Sequence, residues 1–177
     1  MRALIFAFLL GSSVAKANYT LDLAVGTQAQ GTLIGEKFLK TSFGISHYFK
    51  EWLLSTQVSY LRSPESGDGA VSVQQEAWEL MGWGKYRFVR EQSYAVYVGA
   101  GGGFRNEQVS TSLFFAPEVQ KSRLNWLLGA TVGGLISPFD KSSSFYGLKI
   151  NLELQTFRQQ FLDAAEIAFI GGLGIGF

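Results

Sequence analysis

The chain of 177 residues contains no cysteine and only one histidine. Without cysteine it can form no disulfide bond, no thiolate metal site and no lipid link through an N-terminal cysteine. With one histidine and no calcium-loop spacing of acidic residues, the sequence predicts no metal site and no cofactor. The formal net charge of +1 is too small for a surface that attracts nucleic acid. The remaining function classes are therefore non-metal enzymes, binding proteins and structural proteins.

Long apolar runs are also missing after Ala17, where no stretch approaches the roughly 18 residues of a membrane-spanning helix. Residues 1–17 differ, because Arg2 precedes an apolar run and Ala15-Lys16-Ala17 provides a small-residue exit. This pattern is typical of a cleaved secretory signal peptide. We predict that residues 1–17 are removed and that residues 18–177 form a single domain.

Alternation of apolar and polar side chains dominates the rest of the chain. In LKINLELQ at 148–155, every even position is apolar and every odd position is polar or charged. A β-strand turns successive side chains to opposite faces, so such a segment has one apolar and one polar face. Eight segments alternate in this way, and the three prolines fall between them. The segments lie near 19–25, 39–46, 52–60, 78–88, 94–104, 123–133, 148–155 and 167–177.

The fourth segment is the least regular of the eight. Gly82 and Gly84 fall on its apolar face, whereas Met81 and Trp83 fall on its polar face. A β-bulge in this segment would exchange the faces on which the residues after it lie. Its register is therefore left open.

The connections between the segments alternate in length. Short ones lie around 49–51, 89–93 and 137–144, and longer, more polar ones around 27–38, 62–74, 105–122 and 157–165. Short turns at one end and long loops at the other are typical of bacterial outer-membrane barrels. The fold class predicted is all-β, an eight-stranded antiparallel up-and-down transmembrane β-barrel with both termini periplasmic.

The polar faces decide between a membrane barrel and a soluble, lipocalin-like barrel, which would bury its apolar face instead. Eight strands enclose a lumen that side chains can just fill, so nearly matched charges there can pair. Aromatic residues concentrate toward the strand ends, as in the girdles of membrane barrels. We therefore predict a plugged polar interior with an ion-pair network drawn from Asp22, Glu79, Glu153, Glu166, Lys40, Lys85, Arg87, Arg123 and Lys149.

The final segment, FIGGLGIGF, alternates large apolar residues mostly with glycine and ends on Phe177. It resembles the C-terminal assembly signal of Gram-negative outer-membrane proteins. The whole chain resembles the small eight-stranded barrels that include OmpX and the transmembrane domain of OmpA. This resemblance implies an outer-membrane location, surrounding lipid as a partner, and insertion by the assembly machinery, which reads the last strand through Phe169, Leu173, Ile175 and Phe177.

Three functions remain open at this stage. The first is a non-enzymatic barrel with a structural role or a surface-recognition role through its outer loops. In the loop at 105–122, the cluster Leu113, Phe114 and Phe115 either contacts an unidentified surface ligand or lipid, folds onto the barrel mouth, or continues a strand.

The second function is lipid modification, since similar small barrels include lipid A deacylases and palmitoyltransferases. Such chemistry generally needs a serine and a base. The single histidine, His47, lies beside the turn at 49–51, on the outward parity, and no His-x-Ser pair is present. We therefore expect no catalytic residues. The third function is a small channel, which a lumen plugged by ion pairs disfavours.

Overall fold

The computed structural model describes residues 19–30, 37–64, 66–67, 71–91, 93–113, 116–139, 143, 145, 147–159 and 165–176. Within these ranges no helix has the length and apolar character needed to cross a membrane. The described chain forms the strands β1 (Tyr19–Gln30), β2 (Lys37–Phe49), β3 (Trp52–Arg62), β4 (Ser66–Gly67), β5 (Val71–Arg90), β6 (Tyr94–Leu113), β7 (Ala116–Ile136), β8 (Leu148–Gln159) and β9 (Glu166–Gly176).

Eight of these strands form a closed antiparallel barrel. The sheet order is β3-β2-β1-β9-β8-β7-β6-β5-β4, and an additional pairing of β3 with β5 closes the cylinder. Strand β4 has two residues and only adds to the edge of β5. Closure gives each of the eight wall strands a neighbour on both sides within the barrel, as a hydrocarbon environment requires. The predicted fold class is thus confirmed, whereas the periplasmic position of the termini stays a prediction.

The outer surface of the barrel is apolar and carries an aromatic girdle at each end. Trp52 packs on Tyr86 at one end, with ring centroids 5.4 Å apart, and Tyr60 packs on Trp78 at the other, at 5.0 Å. From one girdle to the other, β3 contributes the nine residues from Trp52 to Tyr60, and β5 contributes the nine from Trp78 to Tyr86. That length matches the ~9–11 residues with which a tilted strand crosses a bilayer.

The fourth wall strand, β5, keeps a continuous register through its irregular stretch. Its pairing with β3 runs without interruption from Arg62↔Glu76 to Trp52↔Tyr86. Gly82 and Gly84 therefore face outward, and Met81 and Trp83 point into the lumen, where both are buried. The register shift in β5 lies further along the strand, between Arg87 and Val89.

The two ends of the barrel differ in their connections. At the end that carries the first residue of β1 and the last of β9, which we call the turn end, Lys50 and Glu51 link β2 to β3. Lys50 has a φ of 51°, which tight turns require and which is unusual for a residue with a side chain. We call the opposite end the hairpin end.

The prediction of a long loop at 105–122 is wrong, because strands cover most of this range. Strands β6 and β7 stay paired past the aromatic girdle, from Arg105↔Asn125 to Leu113↔Ala116. We call this part, 105–113 with 116–125, the hairpin extension. Its nine β6 residues correspond to about 30 Å of strand, and residues 71–77 of β5 pair along part of it.

Candidate functional site in the barrel lumen

The lumen is filled by three layers of side chains that follow one another from the hairpin end to the turn end. Strand β5 sets this order, because its inward residues Glu79, Met81, Trp83 and Lys85 alternate with outward ones. An ionic layer surrounds Glu79, an apolar layer surrounds Trp83, and a polar layer surrounds Lys85.

The ionic layer joins two cations to two carboxylates from four different strands. Glu79 accepts from Lys40 Nζ at 2.6 Å and from Arg105 Nε at 2.8 Å. Arg105 also donates to Glu166 Oε1 at 2.8 Å and to Glu166 Oε2 at 2.5 Å. All four residues are almost fully buried. Their formal charges cancel, so burial leaves no net charge in this layer.

Neutral amides satisfy the remaining oxygens of this layer. Gln28 and Gln159 donate to Glu166 at 2.6 and 2.9 Å. Lys40 donates to the side-chain oxygen of Gln28 at 3.2 Å. At the hairpin end, Glu107 is 30% exposed and accepts from Arg105 at 3.2 Å. Additional hydrogen bonds of this kind are what make a buried ion pair tolerable.

The apolar layer separates the ionic layer from the polar one. Trp83 meets Phe157 edge to face, with ring centroids 5.9 Å apart. Gly101 leaves room for the indole, since a Cβ at that position would lie 2.5 Å from Trp83 Cε3. The buried members of this layer are Met81, Trp83, Leu127, Phe157, Ala168 and Ile170.

The polar layer is centred on the ion pair between Lys85 and Glu153, whose Nζ–Oε2 distance is 2.9 Å. Thr131 donates to Glu153 at 2.6 Å. The Tyr97 hydroxyl lies 2.6 Å from Asn151 Oδ1 and 3.1 Å from Glu153 Oε2, and donates to one of them. The carboxylate therefore has donors from several strands, and hydrogen bonds to a charged group are stronger than those between neutral groups.

Two small cavities lie between these side chains in the described part of the lumen. One of about 30 Å³ is lined by polar groups that include Asp22, Ser55 and Glu153, and one of about 50 Å³ lies beside Arg105 and Glu107. Each can hold a few water molecules at most. Neither volume would accommodate an organic substrate.

Solved structures with the same architecture include three from Gram-negative bacteria. The attachment invasion locus protein Ail of Yersinia pestis is 10% identical, with 92% of this chain and 100% of that chain covered and a TM-score of 0.65. Neisserial surface protein A is 9% identical, with coverages of 91% and 98% and a TM-score of 0.68. This chain has the fold of the small eight-stranded outer-membrane barrels.

The N-terminal barrel domain of Pseudomonas aeruginosa OprF has the same fold, with 13% identity, coverages of 92% and 100%, and a TM-score of 0.50. Neither a protein-family model nor a curated protein matches the sequence. The predicted resemblance to small outer-membrane barrels is therefore confirmed at the level of the fold.

The predicted lumen residues fall into several groups. Lys40 and Glu79 belong to the ionic layer, and Lys85 and Glu153 form the polar-layer pair. Asp22 accepts from Ser46 at 2.7 Å. The two predicted cations Arg87 and Lys149 lie at the turn end against Tyr48.

Arg123 is the predicted lumen cation that the structure places elsewhere. It is exposed on the hairpin extension, where it stands opposite Glu107 in the β6–β7 ladder. Its parity is that of the inward residues, but at this point the strands have continued beyond the barrel rim. Inward parity therefore does not lead to burial there.

Arg105 is one of the lumen residues that fall in a predicted loop, as do Gln28, Phe157 and Gln159. It supplies four of the hydrogen bonds to Glu79 and Glu166. The available signal was its parity, since Arg105 continues the inward series of Gly99, Gly101 and Gly103.

The described residues among the other predicted positions lie at the end of β6 and on the outer wall. Leu113 is the last residue of β6, whereas Phe114, Phe115 and Phe177 lie outside the described residues. The side chains of Phe169, Leu173 and Ile175 point outward from β9 and are more than half exposed. Their recognition by the assembly machinery stays a prediction.

His47, the residue considered as a catalytic base, lies on the outer wall at the turn end. Its ring packs on Tyr19 with centroids 4.5 Å apart. Within the described ranges, no three His, Cys, Asp or Glu side chains are grouped so that they could hold a metal ion. The structure therefore assigns His47 an aromatic packing contact in the wall.

Proposed function

We propose that the protein is a non-enzymatic, integral barrel of the Gram-negative outer membrane, with a plugged lumen and a structural or recognition role at its hairpin end. Its apolar outer wall, bounded by two aromatic girdles, supports a membrane location. The fold that it shares with Ail and Neisserial surface protein A supports the outer membrane in particular. The predicted signal peptide agrees with export.

The layered lumen supports a barrel that does not conduct. Ions would have to pass the Glu79–Arg105–Glu166 cluster and then the Trp83–Phe157 contact, and both are buried and close-packed. In such a barrel the parts able to act on other molecules are its two ends and its outer wall.

The observation that carries the recognition role is the hairpin extension. Strand β8 pairs with β7 only from Leu127↔Gln159 to Ile136↔Ile150. Among the described strands, β6 is the one that pairs with residues 116–126 of β7, and β8 does not run alongside them. Such an edge offers backbone groups to an extended segment of another protein. The similar fold of Ail, an attachment protein, supports a contact role of this kind.

The test is labelling of single introduced cysteines in intact cells, which the absence of native cysteine makes clean. We expect Ser122→Cys, exposed on the extension, to react with a membrane-impermeant maleimide in intact Gram-negative cells. Glu91→Cys, exposed at the turn end, is expected to react only after the outer membrane is permeabilised. Labelling of Glu91→Cys but not Ser122→Cys in intact cells would contradict the proposed orientation.

A further inference from the structure

Two cations inside the barrel differ from the others in lacking a carboxylate partner. Lys40, Lys85 and Arg105 each contact a carboxylate oxygen at 2.9 Å or less. Among the described residues, Arg87 and Lys149 form no ion pair within 4.0 Å. The turn end of the lumen therefore carries positive charge that direct pairing does not cancel.

Both of these cations pack on the ring of Tyr48. Lys149 Nζ lies 4.0 Å from the ring centroid, and Arg87 Cζ lies 5.0 Å from it. Contact with an aromatic ring stabilises a cation modestly but provides no opposite charge. Tyr48 thus holds two like charges near each other.

Donor groups remain unused at this place. Arg87 donates one Nη2 hydrogen bond to the carbonyl of Lys50, and its buried Nε has no partner. Lys149 donates to Thr20 Oγ1 at 3.2 Å. A guanidinium has five N–H donors and an ammonium has three. Both side chains therefore have donors left for a ligand.

The surroundings leave part of each side chain open at the turn end, although Arg87 Nε itself is buried. Arg87 and Lys149 are only partly buried, whereas the cations of the ionic and polar layers are buried. Gly176 presents no side chain toward Lys149, whose Nζ would be 3.6 Å from a Cβ at that position. The inward carboxylate of Asp22 accepts from Ser46, and the Glu51 carboxylate at the turn is exposed. Among the described residues, neither carboxylate forms an ion pair with Arg87 or Lys149 within 4.0 Å.

We propose that Arg87 and Lys149 form an anion site at the turn end that binds a phosphate group. The planar fork of arginine and the point charge of lysine are the two side chains that proteins use to bind phosphate oxygens. Two positive charges match the charge of one phosphate ion. A free phosphate and the headgroup of a phospholipid both supply this chemistry. The site does not depend on which side of the membrane the turn end faces.

The test follows the Arg87 Nε–Hε signal by NMR in the full barrel, held in an uncharged maltoside detergent that contains no phosphate. Titration with inorganic phosphate is expected to shift this signal saturably, with a dissociation constant on the order of 1 mM. Lys149→Gln is expected to weaken binding about tenfold, the usual effect of losing one charge-assisted contact. Lys121→Gln, which removes an exposed cation on the hairpin extension, is the control and should leave the affinity within a factor of about two.

A second arm identifies the source of the phosphate. Phosphatidylglycerol is added to the maltoside micelles without inorganic phosphate. If the lipid headgroup is the ligand, it shifts the Arg87 signal at low mole fraction, and if a solute is the ligand, only the inorganic phosphate titration shifts it. The proposal is overturned if neither addition moves the signal, or if Lys149→Gln, shown to be folded by its heat-modifiable gel mobility, binds phosphate as the wild type does.

Discussion

Replacing Glu79 with glutamine is expected to lower the free energy of unfolding by about 3–5 kcal/mol, the usual cost of removing one partner from a buried ion pair. Glu79 accepts from both Lys40 and Arg105, and its side chain is fully buried. The amide has nearly the same shape, so the loss comes from the charge and not from packing. Urea unfolding in phospholipid vesicles, followed by tryptophan fluorescence, measures the change.

Two further variants separate this effect from a general loss of stability. Glu107→Gln removes a carboxylate that is 30% exposed, and should cost less than about 1 kcal/mol. Adding Lys40→Met to Glu79→Gln should recover part of the loss, because it removes a cation left without its nearest partner. Equal stability of Glu79→Gln and the wild type would show that the ionic layer does not hold the strands together.

Replacing Trp83 with alanine is expected to destabilise the barrel by about 3–5 kcal/mol, as large-to-small changes in a packed core do. The indole fills the lumen between Gly101 and Phe157, and only 3% of the residue is exposed. Trp83→Phe keeps an aromatic ring against Phe157 and should cost clearly less. The same urea unfolding experiment compares the two variants.

The location of Trp83 makes this prediction specific to a filled lumen. In a soluble barrel of the opposite polarity, Trp83 would lie on the outer face, and its removal would leave no internal cavity. A loss below about 1 kcal/mol for Trp83→Ala would contradict the apolar layer.

The barrel wall was predictable because a strand's side chains alternate with a period of two, whatever the strand pairs with. The inward parity of Lys40, Glu79, Lys85 and Glu153 follows from this period alone. Parity does not give the level at which a side chain meets its neighbours across the lumen. That level depends on the stagger between strands, and the pairing of Glu79 with Lys40 and Arg105 needed the structure.

The ends of the strands were less predictable than their middles. Beyond Phe104 the sequence becomes polar on both faces, as expected if the strand leaves the membrane there and has no lipid to face. The apolar alternation therefore stops although the backbone pairing continues to Leu113. For this reason the sequence places Arg105 in a loop. Arg123 has the inward parity of β7, which predicts a position in the lumen, although the residue lies on the extension.

The polarity of the wall is tested most directly by spin labels on single cysteines along β3, β8 and β9, in vesicles. The account predicts that labels at Leu152, Leu154 and Phe169 collide with oxygen dissolved in the bilayer more than with a water-soluble nickel complex. Labels at the inward positions Gln57 and Asn151 should be reached poorly by both reagents, so that accessibility alternates along each strand with a period of two. Inward positions reached by oxygen, with outward positions reached mainly by the nickel complex, would contradict it.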